Sequence, residues 1–327
     1  MTVASAETSM PPNSRAAATR GPRHLLGLEG AGGAWIESIL DRAEAMLESG
    51  PVAAAPLAGR IIAMLFLEPS TRTRLSFEIA AQRLGARVVS TAAGSSSVSK
   101  GETVLDTVRN IAAMGVDAVV LRAAQAGAAV AASAGLAMPL INGGDGRHEH
   151  PTQGLLDLLS LRRSLGSLRG RRVGIVGDIL NSRVARSEVH GLLALGAVPV
   201  LIGPATLVPP SLAGLGGSAS ATPIERCHDF DAVLETLDAV VMLRVQRERA
   251  AGDSIASDYP RQFRLDRRRA GRLRPSAPIL HPGPVNRGFE VEAEVADDRS
   301  RSLILQQVAH GVAVRMAVLE WAVGGPN

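Results

Sequence analysis

Short Val/Ile/Leu-rich runs recur along this chain with helical stretches between them, and no other feature restricts the fold as strongly. The runs are Arg60–Leu67, Arg87–Thr91, Ala118–Leu121 and Met138–Ile141 in the first half, then Arg172–Gly177, Val198–Ile202, Ala239–Leu243 and Ala277–Leu280 in the second. Continuous apolar runs mark strands buried on both faces, and strands separated by helices pair in parallel. The expected fold is therefore α/β, with two doubly wound parallel-sheet domains. Between the halves, residues 153–163 carry Leu155, Leu156, Leu158, Leu159 and Leu161. A helix apolar almost all round is predicted to be buried, so the domain boundary is placed near it. A last helical pattern runs from Leu303 to Trp321 with apolar positions Val308, Val312, Met316 and Leu319.

With 327 residues and 46% hydrophobic content the chain can build one large or two medium cores. Its apolar stretches are broken by Gly, Arg or Asp well short of a membrane span. Residues 1–22, rich in Ala, Ser, Pro and Arg, read as a disordered extension rather than a secretory signal. Cys227 is the single cysteine, which excludes an intrachain disulfide and a cysteine-based zinc site, and a cytoplasmic location fits. The net charge of +4 invites a nucleic-acid reading, but with 2% aromatic residues there are few stacking platforms. Arg261, Arg264, Arg267, Arg268, Arg269, Arg272 and Arg274 form the densest basic run, read here as a solvated helix face.

Ser70-Thr71-Arg72-Thr73-Arg74 follows the apolar run Arg60–Leu67 and opens the helical pattern Leu75, Ile79, Ala80, Leu84. A helix start presents unpaired N–H groups and the positive end of the macrodipole, so hydroxyls and guanidinium groups there make an anion site. Pro69 keeps Glu68 extended and lets the helix begin abruptly. A second strand-turn-helix, Val173–Asp178 followed by Ser182–Gly196, has dinucleotide-binding appearance but lacks the glycine turn. Asp178-Ile179-Leu180-Asn181-Ser182-Arg183 is too bulky to close on a pyrophosphate, which disfavours an NAD-dependent oxidoreductase. Lys100 is the sole lysine among 35 Lys and Arg residues and sits in a Gly/Ser loop of the kind that closes over ligands. Arg122 ends a strand-like run, where α/β proteins place ligand groups. His148-Glu149-His150 is a weak metal signal without a third ligand in range.

Phe66-Leu67-Glu68-Pro69-Ser70-Thr71-Arg72-Thr73-Arg74 resembles the carbamoyl-phosphate signature of the aspartate and ornithine carbamoyltransferases. His150-Pro151-Thr152-Gln153, Arg244-Val245-Gln246-Arg247-Glu248-Arg249 and His281-Pro282-Gly283-Pro284 resemble later motifs of that family, in its order, over roughly residues 60 to 320. The resemblance implies an active site in the interdomain cleft and domains at 23–152 (carbamoyl phosphate) and 153–302 (aspartate), with a helix at 303–323 packing back on the first. It also implies that phosphate is bound by Ser70, Thr71, Arg72, Thr73 and Arg122, joined by Ser96 and Lys100 of a neighbouring subunit. Thr73, Arg122 and His150 would hold the carbamoyl oxygen. Gln153 and backbone carbonyls of Pro282 and Gly283 would orient the carbamoyl NH2. Arg183, Arg244 and Gln246, with Lys100, Gly283 and Pro284, would hold aspartate.

The same resemblance implies carbamoyl transfer to L-aspartate, an early step of pyrimidine biosynthesis, with no metal or organic cofactor. The partners implied are carbamoyl phosphate, aspartate and two further copies of the chain in a homotrimer with shared sites, with no nucleic acid and no membrane. A regulatory or dihydroorotase-like chain remains open. Ornithine is the alternative acceptor, disfavoured because that branch carries a His-Cys-Leu-Pro turn. Two departures stand out. Gly283 replaces the Leu of several relatives, which predicts a looser backbone. Glu68 and Arg249 match an interdomain ion pair of allosteric relatives.

Overall fold

The computed structural model describes residues 22–48, 55–91, 101–217, 222–245 and 258–324. The first half runs α1 (Gly33–Glu48), β1 (Ile61–Phe66), α2 (Thr71–Arg83), β2 (Arg87–Thr91), α3 (Val104–Ala113), β3 (Ala118–Ala123), α4 (Ala128–Ser133) and β4 (Leu140–Asp145). After α5 (Pro151–Leu165) come β5 (Arg172–Val176), α6 (Arg183–Ala194), β6 (Val198–Ile202), β7 (Glu225–Cys227), α7 (Phe230–Val233) and β8 (Ala239–Met242). The chain ends through α8 (Tyr259–Phe263), α9 (Arg267–Arg272), β9 (Ile279–Leu280), α10 (Ala293–Ala296) and α11 (Ile304–Val323).

Two all-parallel sheets result, ordered β2-β1-β3-β4 and β7-β6-β5-β8-β9. The strand runs read from sequence lie in them, with two differences. β4 starts later than expected and continues through Asn142, Gly143, Gly144 and Asp145, all buried, because Asn142 and Asp145 find internal hydrogen-bond partners. β7 is an edge strand of three half-exposed or exposed residues with no apolar run to announce it.

One apolar core passes through the molecule along α1, α5, α11 and a face of each sheet, and a separate core covers the outer face of each sheet. Every residue of α5 from Pro151 to Leu161 is buried, as its leucines predict. α5 packs on α1, α6 and α11, so it is the wall common to both halves. α11 packs on α1, α2 and α5, burying Val314, Met316, Val318 and Leu319. Each such side chain contributes about 1.5–3 kcal/mol over an exposed one. Val308, expected on that apolar stripe, is instead 53% exposed. Ala80 on α2 and Leu84 just past its end are buried, but Leu75 and Ile79 face outward and Thr73, Ser76, Phe77 and Ala81 take the other inner positions.

The arginine run is less solvated than its composition suggests. Arg269 is buried and binds Asp231, which also pairs with Arg268 and Arg272, while Arg261, Arg267 and Arg274 pair with Asp258, Glu294 and Asp238. No helix among the described residues is long and apolar enough to cross a membrane.

Candidate active site

Each sheet reverses its winding between two central strands, β1 and β3 in the first and β5 and β8 in the second. Loops leave such a point in opposite directions and open a crevice at the carboxyl ends of the strands. Here both crevices face one another and form a single cleft of about 590 Å³.

The first half supplies the start of α2. Ser70 is the N-cap, extended at φ −161°, and makes no side-chain cap, so the first N–H groups of α2 are not satisfied by it. Ser70, Thr71, Arg72 and Thr73 line the cleft together with Arg122 from β3. His150 and Gln153, at the start of α5, complete this side. Thr73 Oγ1 lies 3.4 Å from His150 Nε2. Burial, with Arg122, Arg315 and Arg183 nearby, holds His150 well below the ordinary histidine range, so the ring is neutral and has one N–H to give. The backbone N–H of His150 donates to Ser187 Oγ, whose hydroxyl donates to Glu149. His148 turns to Asp145, and Glu149 accepts from the N–H groups of Leu28 and Glu29, so the His148-Glu149-His150 triplet diverges.

The second half supplies Ser182 and Arg183 after β5, Leu243 and Arg244 after β8, and His281, Pro282, Gly283 and Pro284 after β9. The β5 turn is filled by Asn181 donating to Asp178, which leaves no glycine cradle for a pyrophosphate. Arg183 lines the cleft but is engaged: it donates to Glu68 Oε2 at 2.9 Å, and Arg122 Nε lies 3.4 Å from the same oxygen. Glu68 thus ties guanidinium groups of opposite halves. Arg249, like Ser96, Lys100 and Gln246, lies outside the described residues.

Gly283 is held rather than loose. Its N–H donates to His281 Nδ1 at 2.8 Å, and at φ +68° a Cβ would lie 3.2 Å from Arg72 Cζ. A side chain there meets both the left-handed backbone and the guanidinium. The Gly283–Pro284 peptide is cis. Burial, then Arg72 and Arg244, pushes His281 down to about 3.

Sequence reasoning passed over residues that α11 brings in: Leu305 and Val308 at the mouth, and Gln307 and Arg315 deeper. Arg315 lies over the Phe77 ring at 5.1 Å. Its signal was a lone charge in the apolar stretch Val312-Ala313-Val314-Arg315-Met316-Ala317. Among the described lining residues there are five arginines, Arg72, Arg122, Arg183, Arg244 and Arg315, and no Asp or Glu. Burial, then Arg183, holds Arg122 down to about 9, which still leaves it charged at neutral pH.

The family models agree with this geometry. Residues 23–163 match the carbamoyl-phosphate-binding domain of aspartate/ornithine carbamoyltransferases, and residues 169–322 match the Asp/Orn-binding domain. The chain belongs to the aspartate/ornithine carbamoyltransferase family. It is 50% identical over 300 residues to the aspartate carbamoyltransferase catalytic subunit of Myxococcus xanthus, covering 91% of this chain and 98% of that one. It is 48% identical over 308 residues to that of Opitutus terrae, covering 93% and 96%. Among solved structures, aspartate transcarbamoylase from Trypanosoma cruzi, in complex with carbamoyl aspartate and phosphate, superposes with a TM-score of 0.82 at 30% identity, covering 93% and 96%. Ornithine carbamoyltransferase from Pyrococcus furiosus superposes with 0.84 at 27% identity, covering 94% and 99%. Backbone shape alone therefore does not separate the two acceptors.

Proposed function

We propose that this chain is an aspartate carbamoyltransferase, converting carbamoyl phosphate and L-aspartate to N-carbamoyl-L-aspartate and phosphate. The observation that carries the reading is the cleft's charge: five arginines and no carboxylate among its described lining residues. Two anionic reactants suit such a wall, whereas the cationic side chain of ornithine needs an acidic or amide partner on it. The catalytic-subunit relatives support the same acceptor.

In this reading carbamoyl phosphate seats its phosphate on the α2 N-terminus, Ser70, Thr71, Arg72, Thr73 and Arg122. The neutral amine of aspartate, held through its carboxylates by Arg183, Arg244 and Gln246, attacks the carbonyl carbon. The C–N bond forms, and Thr73, Arg122 and His150 take up the charge on the oxygen. The C–O bond to phosphate then breaks, phosphate leaving with the electron pair and taking up the proton that the amine gives up. Gln153 and the carbonyls of Pro282 and Gly283 orient the carbamoyl NH2, with Gly283 and Pro284 also bordering aspartate. The working division is 23–152, with the helix at 303–323 packed on it, for carbamoyl phosphate and 153–302 for aspartate.

We further infer a cytoplasmic homotrimer in which Ser96 and Lys100 enter the neighbour's site. Exposed Leu75 and Ile79 on the outer face of α2 support an apolar contact between copies. A ureido-product assay with aspartate against ornithine decides the acceptor, and equal turnover of ornithine overturns it. Reassembling Lys100→Ala with Arg72→Ala chains should restore roughly one quarter of sites, since two independent choices each succeed about half the time. Hybrid trimers with no recovery would show that Lys100 does not cross between subunits.

A further inference from the structure

Behind the cleft lies a group of polar side chains that the transfer reaction does not use directly. Gln153 Nε2 donates to both oxygens of Asp157, each at 3.1 Å, and Gln307 Nε2 donates to Asp157 Oδ1 at 2.6 Å. The other end of Gln307 accepts the backbone N–H of His281 at 2.9 Å, just before the 282–284 turn. Asp157 therefore anchors two amides, one bordering the cleft on α5 and one holding the 282–284 turn through His281. Asp157 stands on α5, Gln307 on α11, and the second carboxyl group, Glu188, comes from α6; all three are buried.

An amide facing a carboxylate has no choice of orientation, because the carboxylate only accepts. Its nitrogen must point inward, so the Gln153 oxygen is left for the cleft, where it can accept from an NH2 group. Glu188 lies within hydrogen-bond reach of Asp157, and no other described residue donates to either of its oxygens. Two ionised carboxyl groups in contact within a dry core are mutually repelled and unsatisfied. A single proton between them removes the repulsion and supplies the missing donor. Arg315 on α11 is the charged group that faces Asp157 from outside the pair, and it offsets the charge left on Asp157.

We propose that Asp157 and Glu188 share one proton and act together as positioning residues for Gln153 and Gln307, setting the orientation of the carbamoyl group and the seating of the 282–284 turn. Glu188 carries the proton and donates to Asp157, which stays an acceptor toward both amides. The proposal rests on carbamoyl transfer as the reaction. Burial pushes both groups upward as acids, and the hydrogen bond from Glu188 opposes that rise at Asp157. As pH falls far enough to protonate Asp157, one of its oxygens becomes a donor that opposes an amide N–H, and the acid limb of kcat appears.

Three variants and one spectrum test this in the full-length assembly. Asp157→Asn, whose amide can no longer dictate the direction of Gln153, should lower kcat by at least about tenfold while KM for aspartate moves less than about threefold. Glu188→Leu, which removes the donor to Asp157, should shift the acid limb of kcat to higher pH, and Glu188→Gln, which keeps a donor, should leave the limb where the native enzyme has it. An acid limb that coincides in all three proteins overturns the proposal, as does an Asp157→Asn enzyme with kcat within about twofold of native. Independently of activity and of whether Glu188→Leu folds, infrared spectra in H2O and D2O should show a protonated carboxyl C=O stretch at neutral pH that is lost in Glu188→Gln. Its absence from the native protein, or its persistence in the variant, also overturns the shared proton. A native enzyme that makes no ureido product but shows the band would instead refute carbamoyl transfer and leave the pair standing.

Discussion

The pole of the cleft assigned to phosphate takes Ser70, Thr71, Arg72 and Thr73 from one helix start, whereas the pole assigned to aspartate gathers Arg183, Arg244 and the 282–284 turn from the ends of three separate strands. The first pole is organised by a single element, so its donors keep their mutual geometry however the two halves are disposed. The second is spread over three loops of one sheet, and one of its arginines is already held by Glu68 of the other half at 2.9 Å, so its readiness depends on how the halves meet. A preformed anion site beside a contingent one favours binding in order, with carbamoyl phosphate first and aspartate after it.

The largest effect should come from the preformed pole. Arg122→Ala removes a donor aimed at both the phosphate and the developing oxyanion, so kcat should fall on the order of 10²–10³, read in a saturating steady-state assay. A loss confined to KM would move Arg122 out of the chemistry. Arg244→Ala tests the other pole: losing a buried charge-assisted contact costs about 2–5 kcal/mol, so the apparent affinity for aspartate should weaken at least about tenfold while carbamoyl phosphate binding, followed by calorimetry, changes little. Glu68→Gln probes the tie between the poles. Without the carboxylate that holds Arg183 in position across the cleft, KM for aspartate should rise about three- to tenfold, and an unchanged KM would mean the tie plays no part in seating aspartate.

The smallest effect is in pH. His281, held down to about 3, refuses a proton that the unfolded chain accepts below its ordinary 6.5. Stability is therefore full above 6.5 and lost as pH falls toward 3, by up to about 1.4 kcal/mol per pH unit. Urea unfolding at pH 7 and pH 5 should show at least that slope, since His150 is held down as well, and His281→Asn should reduce it by the share of one proton.

The same contrast explains what could be read without coordinates. The phosphate pole was legible because its residues are consecutive and lie at a strand-to-helix turn, a local pattern with a physical meaning. Parallel strands were legible because burial on both faces leaves an unbroken Val/Ile/Leu run, and β7, with Glu225, Arg226 and Cys227, left none. Asp157, Glu188 and Gln307 were passed over since their roles exist only where α5, α6 and α11 meet, although a carboxylate among the leucines of α5 was a visible anomaly. The contact of Glu68 with Arg183 was likewise set by tertiary distance: Arg183 begins α6, far along the chain, and nothing in its neighbours points to residue 68. Gly283 looked permissive as a letter and proved constrained once Arg72 stood against it.

The closing helix has a consequence for how the protein is made. α11 covers α1 and α2, Trp321 packs edge-on against Trp35 at 5.2 Å, and Arg23 donates to the Trp321 carbonyl at 2.9 Å. During synthesis the first half leaves the ribosome with that apolar face uncovered, and the segment that seals it is translated after the whole second half. The nascent chain must therefore hold an unfinished core for the time needed to make everything between residue 83 and residue 304, the interval in which chaperones have most to do.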